Sequence, residues 1–381
     1  MRELFKDFNS ITLETTSKKT LIDASKLVTE AVVRAGADVF IGYPITPSNL
    51  FYTYGQKRFP SFYAAPDEIS VLQWMAGFSA AGKLPVTATA FPGLALMVES
   101  LNMAYMMELP MVLVIVQRLG PSTGSATTGA QGELATLNGI ISGGFPLPVF
   151  CPSNFQDSWE LSEKAVKTAI DFRTPVILLT SKEMVMTNKS FDLSLLKDIE
   201  RVSTPEVVLN DDYKPYEPGD NLIPPFVPVS NTEQQIRINS STHDFEGMIR
   251  KNSPESLSNT IRLKDKFESR IDELTVYEYD KQEGADKVLV SYGISVDATR
   301  DALNKLRADN QKVSMVIMKT LIPVSDKVMD IIDSYKEIVF VEENISGQLK
   351  ELLYGKRKYK HIKKVNKIGS LIAPQEILDI I

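Results

Sequence analysis

Three side chains in this 381-residue sequence are of the type, and in the setting, to do chemistry: the Thr46 hydroxyl, the Glu68 carboxyl and the Arg118 guanidinium. Thr46 sits in Tyr43-Pro44-Ile45-Thr46-Pro47-Ser48, directly after the mostly apolar run 37–41. Pro44 and Pro47 flank Ile45 and Thr46 and restrict the backbone to an extended, rigid shape. Such a shape holds a hydroxyl in one place, or it ends a strand and starts a helix with Ser48 as its cap. Glu68 belongs to Pro66-Asp67-Glu68-Ile69. Acids in a first helical turn ordinarily serve the cap and the helix dipole. A functional Glu68 has to be buried, with its charge state tuned by a ligand nitrogen.

Arg118 follows the apolar run 111–116 and opens Gln117-Arg118-Leu119-Gly120-Pro121-Ser122-Thr123-Gly124. A guanidinium at the end of a buried strand is costly unless it faces an anion or a water-filled cleft. A carboxylate is an anion that its planar fork reads well. The loop after it can present backbone N–H groups to anions, but it lacks the Gly-Lys-Ser/Thr ending of a nucleotide phosphate loop. A fourth segment, Phe91-Pro92-Gly93, reads as a tight turn leading into a helix.

The elements around these residues alternate. Helices are expected at 21–35, 69–81, 95–107 and 157–171, and strands at 38–41, 62–65, 86–90, 111–116 and 175–179. That alternation predicts an α/β fold, a doubly wound parallel sheet with helices on both faces, in which ligands bind beyond the carboxyl ends of the strands. All four segments fall at such ends. The chain divides into an N-terminal extension (1–20), this first domain (21–190), a Pro-rich connector with a linking helix (191–285), and a smaller α/β domain (286–381). The linking helix is expected over 255–278.

Bulk properties narrow the class. The chain is 43% hydrophobic and 24% charged, with a formal net charge of −6. That balance argues against a dedicated nucleic-acid or anionic-membrane surface. No apolar run approaches a membrane span and the N-terminus has no signal-peptide core, so a cytoplasmic protein is expected. The single cysteine, Cys151, excludes a disulfide framework and an all-cysteine iron–sulfur or zinc site within this chain. His243 and His361, the only histidines, lie far apart, and His361 sits among lysines, so a histidine metal site or Ser-His triad is not expected.

In this order, Tyr43 to Ser48, Asp67-Glu68-Ile69, Pro92-Gly93 and Arg118 to Gly124 resemble the α subunit of the 2-oxoacid:ferredoxin oxidoreductases, with the 2-oxoglutarate type the nearest likeness. The likeness continues in Ser241-Thr242-His243-Asp244, Val341-Glu342-Glu343-Asn344 and Gly347-Gln348-Leu349, and so covers nearly all the chain after residue 20. The resemblance implies a thiamine-diphosphate pyrimidine-binding domain followed by a transketolase C-terminal-like domain. It also implies that Glu68 hydrogen-bonds the aminopyrimidine ring and is the catalytic carboxyl. Tyr43 and Pro44 would line the pyrimidine pocket, and Thr46 and Arg118 would hold the substrate carboxylate. The implied reaction is oxidative decarboxylation of a 2-oxoacid, 2-oxoglutarate first, to acyl-coenzyme A and CO2 with reduction of ferredoxin, in either direction.

Nothing here matches the family's magnesium-diphosphate motif. Gly219-Asp220-Asn221 is similar to it but lies in the connector without a flanking strand. The resemblance therefore implies a β subunit carrying the diphosphate site, its Mg2+ and the iron–sulfur cluster, in an αβ pair or its dimer. Where many relatives have Ser-Gly-Pro-Gly, this chain has Ala90-Phe91-Pro92-Gly93, and Ser125 to Thr128 also departs from the usual pattern. Two other readings stay open: a non-oxidative thiamine-dependent 2-oxoacid decarboxylase subunit, and a structural subunit whose pocket has degenerated.

Overall fold

The computed structural model describes residues 19–205, 207 and 212–381, so that the expected extension lies outside the described residues except for Lys19 and Thr20. The chain enters on β1 (Lys19–Ile22), where the sequence suggested helix. Asp23 is the reason: its carboxylate accepts from the Lys26 N–H at 3.1 Å and starts α1 (Ala24–Ala35) one turn later than periodicity alone indicates. Gly36, at φ +128°, ends that helix. There follow β2 (Val39–Gly42), α2 (Asn49–Arg58), β3 (Ser61–Ala64), α3 (Glu68–Ala80), β4 (Pro85–Thr89), α4 (Phe91–Met106) and β5 (Met111–Gln117). The expected turn at Phe91-Pro92-Gly93 is the first turn of α4, because proline needs no N–H partner at a helix start.

After the short α5 (Leu134–Asn138) come β6 (Val149–Phe150), α6 (Phe155–Asp171), β7 (Pro175–Ser181), α7 (Lys182–Met186) and β8 (Lys189–Asp192), which pairs antiparallel with β1. The large sheet has the order β6-β7-β5-β4-β2-β3, all parallel. Strands β5 and β7 are buried along their whole length, which is why they read as unbroken apolar runs rather than alternating ones.

The connector wraps this domain and is fastened by charge. Prolines offer carbonyls but no N–H groups, so a Pro-rich segment needs donors from elsewhere. Arg173 supplies them, with its Nη1 3.1 Å from the carbonyls of Pro215, Pro224 and Pro225. The stretch expected as one helix over 255–278 resolves into α8 (Pro254–Glu268), α9 (Ile271–Leu274) and β9 (Tyr277–Asp280). The helix gives way where Thr275, Val276 and Tyr277 favour strand. Arg262 and Lys266 of α8 reach the fully buried Glu108 at 2.8 and 3.1 Å, joining α8 to the first domain.

The second sheet is built from β10 (Lys287–Ser291), α10 (Ser295–Ala308), β11 (Val313–Met318), then β13 (Glu337–Glu342), α12 (Gln348–Tyr354), β14 (Ile362–Asn366) and the terminal α13 (Pro374–Leu378). Its order is β14-β13-β10-β11-β9, with only β9 antiparallel. Between β11 and α11 (Asp326–Asp333), β12 (Thr320–Ile322) leaves this unit and pairs antiparallel with β6 at the edge of the large sheet. The two sheets are thus stitched by one continuous stretch of backbone.

Candidate active site

Chain order is β2, β3, β4, β5, whereas sheet order is β5-β4-β2-β3. The direction of winding reverses between β2 and β4, which opens a crevice at their carboxyl ends. Thr46, Glu68, Gly93 and Arg118 follow these four neighbouring strands one by one.

The loop after β2 is fixed by Ser48 in an unexpected way. Ser48 stands at the N-cap position of α2 but makes no side-chain cap bond. Its hydroxyl instead donates to the Ile45 carbonyl at 2.8 Å and approaches the Ala88 carbonyl of β4 at 3.4 Å, tying the loop to the neighbouring strand. After β3, two adjacent acids divide the work. Asp67 is the cap of α3, accepting from the Ser70 N–H at 2.7 Å. Glu68, released from that duty, is 6% exposed and has no hydrogen-bond or ion-pair partner among the described residues. Its carboxyl lies against the first turn of α4: a Cβ placed on Gly93 would stand 2.8 Å from Glu68 Oε1 and 2.1 Å from Thr89 Oγ1. Only glycine leaves that acid room.

Arg118 is also 6% exposed. Its Nη1 donates to the Thr46 carbonyl at 2.5 Å, and its Nε is buried without a partner. The structure therefore brings Thr46 and Arg118 together, but through the Thr46 backbone rather than its hydroxyl. The remaining Nε edge of the guanidinium has the geometry to accept a carboxylate side-on. Tyr43 and Pro44, expected to line the pocket, are exposed at its mouth.

Sequence reasoning missed Glu133. It looks like a surface acid in a Gly-rich stretch, yet it is buried behind Arg118, where its Oε2 accepts from Gln117 Nε2 at 3.0 Å. Burial pushes its carboxyl up to about 7, although Gln117 and the backbone N–H groups of Arg118, Gly132 and Glu133 itself favour the charged form. Its only sequence signal is that it follows the Arg118 loop closely. Gln131 was likewise illegible, because its partners lie on a distant segment, and so was the reach of Ser48 to the Ala88 carbonyl.

The donor set fits thiamine diphosphate in part. An unpartnered carboxyl on a buried residue suits an aminopyrimidine nitrogen, and the missing side chain at Gly93 leaves that carboxyl its place against α4. Among the described residues no group of three or more His, Cys, Asp or Glu side chains is placed to hold a metal ion. None of the described helices is long and apolar enough to cross a membrane.

Comparison with known proteins places this geometry. The model of the pyruvate flavodoxin/ferredoxin oxidoreductase family, thiamine diphosphate-binding, matches residues 30–262. The 2-oxoglutarate synthase subunit KorA of Methanocaldococcus jannaschii is 28% identical over 366 residues, covering 94% of this chain and 98% of the relative. The ketoisovalerate oxidoreductase subunit VorB of Methanothermobacter thermautotrophicus is also 28% identical, over 94% of this chain and 96% of its own length. A structure of the 2-oxoglutarate:ferredoxin oxidoreductase from Magnetococcus marinus, with 2-oxoglutarate, coenzyme A and succinyl-CoA bound, superposes with a TM-score of 0.87 at 26% identity. The match covers 96% of this chain and 65% of that one. The order of strand ends, the acid beside Gly93 and the family match across more than half of the sequence agree: the chain belongs to the pyruvate flavodoxin/ferredoxin oxidoreductase family, thiamine diphosphate-binding.

Proposed function

We propose that this chain is the α subunit of a cytoplasmic 2-oxoacid:ferredoxin oxidoreductase. With a β subunit it would convert a 2-oxoacid, coenzyme A and two oxidised ferredoxins to acyl-coenzyme A, CO2, a proton and two reduced ferredoxins. One observation carries the reading. A carboxyl with no partner on a buried residue (Glu68) and a buried guanidinium with an unpaired Nε (Arg118) follow β3 and β5, the strands that flank the β2–β4 switch point on either side.

Thiamine diphosphate, when bound, supplies the nucleophilic carbon and the electron sink for decarboxylation. Glu68 would hold the aminopyrimidine ring by a hydrogen bond from its unpartnered carboxyl. Arg118 receives the substrate carboxylate along its Nε edge, its other end anchored on the Thr46 carbonyl. The Thr46 hydroxyl, on the same rigid loop, completes the cradle, and Tyr43 and Pro44 close its rim against a partner. That partner, the β subunit, holds the diphosphate, Mg2+ and the iron–sulfur cluster, in an αβ or (αβ)2 assembly.

An apolar face supports the need for a partner. Helices α3 and α4 are largely apolar, yet they expose Ile69, Trp74 and Leu96, and Tyr43 and Tyr63 on the preceding segments are exposed as well. The 2-oxoglutarate choice rests on names borne by relatives, and a ketoisovalerate-type relative is equally similar. The test is co-expression with the β subunit and anaerobic viologen reduction with thiamine diphosphate, Mg2+ and coenzyme A. The acids offered are 2-oxoglutarate, pyruvate, branched-chain and aryl 2-oxoacids. Reduction by 2-oxoglutarate above the others, abolished in Glu68→Ala, is the expected result. Equal turnover in wild type and Glu68→Ala would sink the assignment of that residue. Aldehyde and CO2 release without viologen reduction would move the chain to non-oxidative chemistry.

A further inference from the structure

We propose that Gln131 and Glu133 form a positioning link through which the C-terminal α/β unit sets Arg118 for its carboxylate ligand. The inference rests on the reading of Arg118 as that ligand's receptor. Neither residue touches substrate; both act through Arg118.

Glu133 holds the root of Arg118. Gln117 and Arg118 are consecutive, the last residue of β5 and the first beyond it. The Glu133 carboxyl takes the Gln117 side-chain amide at 3.0 Å and faces the Arg118 backbone N–H. One buried acid thus holds the side chain of the residue before Arg118 and faces the Arg118 backbone. The Arg118 loop cannot hold that root alone, because it is closed on itself. Leu119 N–H donates to the Thr128 carbonyl at 2.7 Å, and Ser125 N–H donates to the Leu119 carbonyl at 2.9 Å. The chain leaves this ring at Thr128 and runs straight into Gln131 and Glu133.

Gln131, two residues before Glu133, is saturated by the other unit. Its Oε1 accepts from Ser295 Oγ at 2.6 Å and from the Glu343 N–H at 2.7 Å. Its Nε2 donates to the Tyr292 carbonyl at 2.9 Å, and its own N–H to the Glu343 carbonyl at 2.8 Å. Those partners come from the end of β10, the start of α10 and the end of β13. Gln348 of α12 adds two more bonds, from its Nε2 to the Gly132 carbonyl at 2.9 Å and from the Ala135 N–H to its Oε1 at 2.8 Å. Residues 131–135 are therefore held from one side by the second sheet while Glu133 reaches back to Arg118 on the other. If this segment served only to join two domains, apolar residues at both 117 and 133 would pack as well without the cost of burying an acid and its amide partner. A buried acid there is explained by what it orients.

The test uses the complex with its β subunit and whichever 2-oxoacid drives viologen reduction. Variants are Glu133→Ala, Glu133→Gln, Gln131→Ala, Gln348→Ala, and Arg118→Ala as reference. For Glu133→Ala and Gln131→Ala, KM for the 2-oxoacid should rise about tenfold with kcat within about twofold, the signature of lost substrate binding. Glu133→Gln keeps an acceptor and should stay within about threefold of wild type, with Gln348→Ala intermediate. KM for coenzyme A and the calorimetric affinity for thiamine diphosphate should not move. Unchanged 2-oxoacid KM in the 131 and 133 variants, with a raised KM in Arg118→Ala, overturns the link and leaves the substrate reading standing. Unchanged KM in Arg118→Ala overturns both. A fall in kcat, in coenzyme A affinity and in melting temperature together marks the pair as merely structural and also overturns the proposal. Should Glu133→Ala fail to assemble, Gln131→Ala and Gln348→Ala decide by the same criteria.

Discussion

At the scale of single residues, the site depends on what is left unpaired. Asp67 caps α3 and so frees Glu68, a buried residue whose carboxyl has no partner among the described residues. Arg118 uses one end on the Thr46 carbonyl and keeps Nε for something else. The space around Glu68 is bounded by Gly93, whose backbone is ordinary helix, so that the constraint is steric rather than conformational. Gly93→Ala places a methyl group 2.1 Å from Thr89 Oγ1 and 2.8 Å from the Glu68 side chain. Overpacking of this kind costs about 1–3 kcal/mol of stability. Displacing a catalytic group by about 1 Å can cost about a hundredfold in rate. Gly93→Ala should therefore assemble with its partner and lose turnover by about that factor, measured as kcat beside a melting curve. Turnover near wild type would mean that the Glu68 carboxyl tolerates displacement and is not held for catalysis.

At the scale of elements, strand-to-helix loops do the positioning, and each is fixed by one device. The loop after β2 is held by the Ser48 hydroxyl on β4, and the one after β5 by its own backbone ring. That ring requires Gly124. Its φ is +50°, and a Cβ there would lie 1.6 Å from the Leu119 carbonyl oxygen. No side-chain adjustment relieves a clash with backbone. Gly124→Ala must therefore open the loop, and it should raise KM for the 2-oxoacid by at least about tenfold if Arg118 reads the carboxylate. The core is remote from this exposed loop, so the melting temperature should change by no more than a few degrees. A large melting shift with unaltered KM would contradict that division between loop and scaffold.

At the scale of the whole molecule, the connector and α8 are pinned to the large sheet by one buried acid among three cations. Burial alone would raise Glu108, but Lys266, Arg262 and Arg173 outweigh it and hold the carboxyl at about 2. Lys266 moves the other way from a simple ion pair. Burial and two nearby guanidiniums bring it down to about 8, because a single carboxylate cannot serve three cations. The backbone carbonyls of Phe172, Leu222 and the connector prolines take the surplus donors. Removing the acid strands all three charges, so Glu108→Gln should destabilise by about 3–5 kcal/mol in denaturant titration. A folded carboxyl held below its usual value of 4.5 contributes stability that is present above that value and lost as pH falls towards 2. Wild type should lose stability through that window, and Glu108→Gln should lose less of its own. Parallel acid profiles for the two proteins would remove Glu108 from the account.

The class of fold and the candidate chemistry follow from local patterns in the chain. Unbroken apolar runs such as 111–116 can only be strands covered on both faces, and helical stretches between them force parallel crossovers. The strand-end segments from Tyr43 to Gly124 were legible because each carries its signal within a few adjacent residues. Start and stop points were less legible where capping chemistry competed with periodicity, as at Asp23 and at Phe91-Pro92. What only the tertiary structure decided are relations between distant segments. Ser48 bonds to β4 instead of capping its helix, β12 crosses to the other sheet, and Thr46 holds Arg118 by its carbonyl. Glu133, an acid that composition would assign to the surface, is buried behind a strand end, and Gln131 joins it to the second unit. A hydrogen bond between residues separated by tens or hundreds of positions leaves no local pattern, since neither partner's neighbours need be unusual. Local sequence therefore encodes the elements, while the orientation of the reactive groups comes from packing.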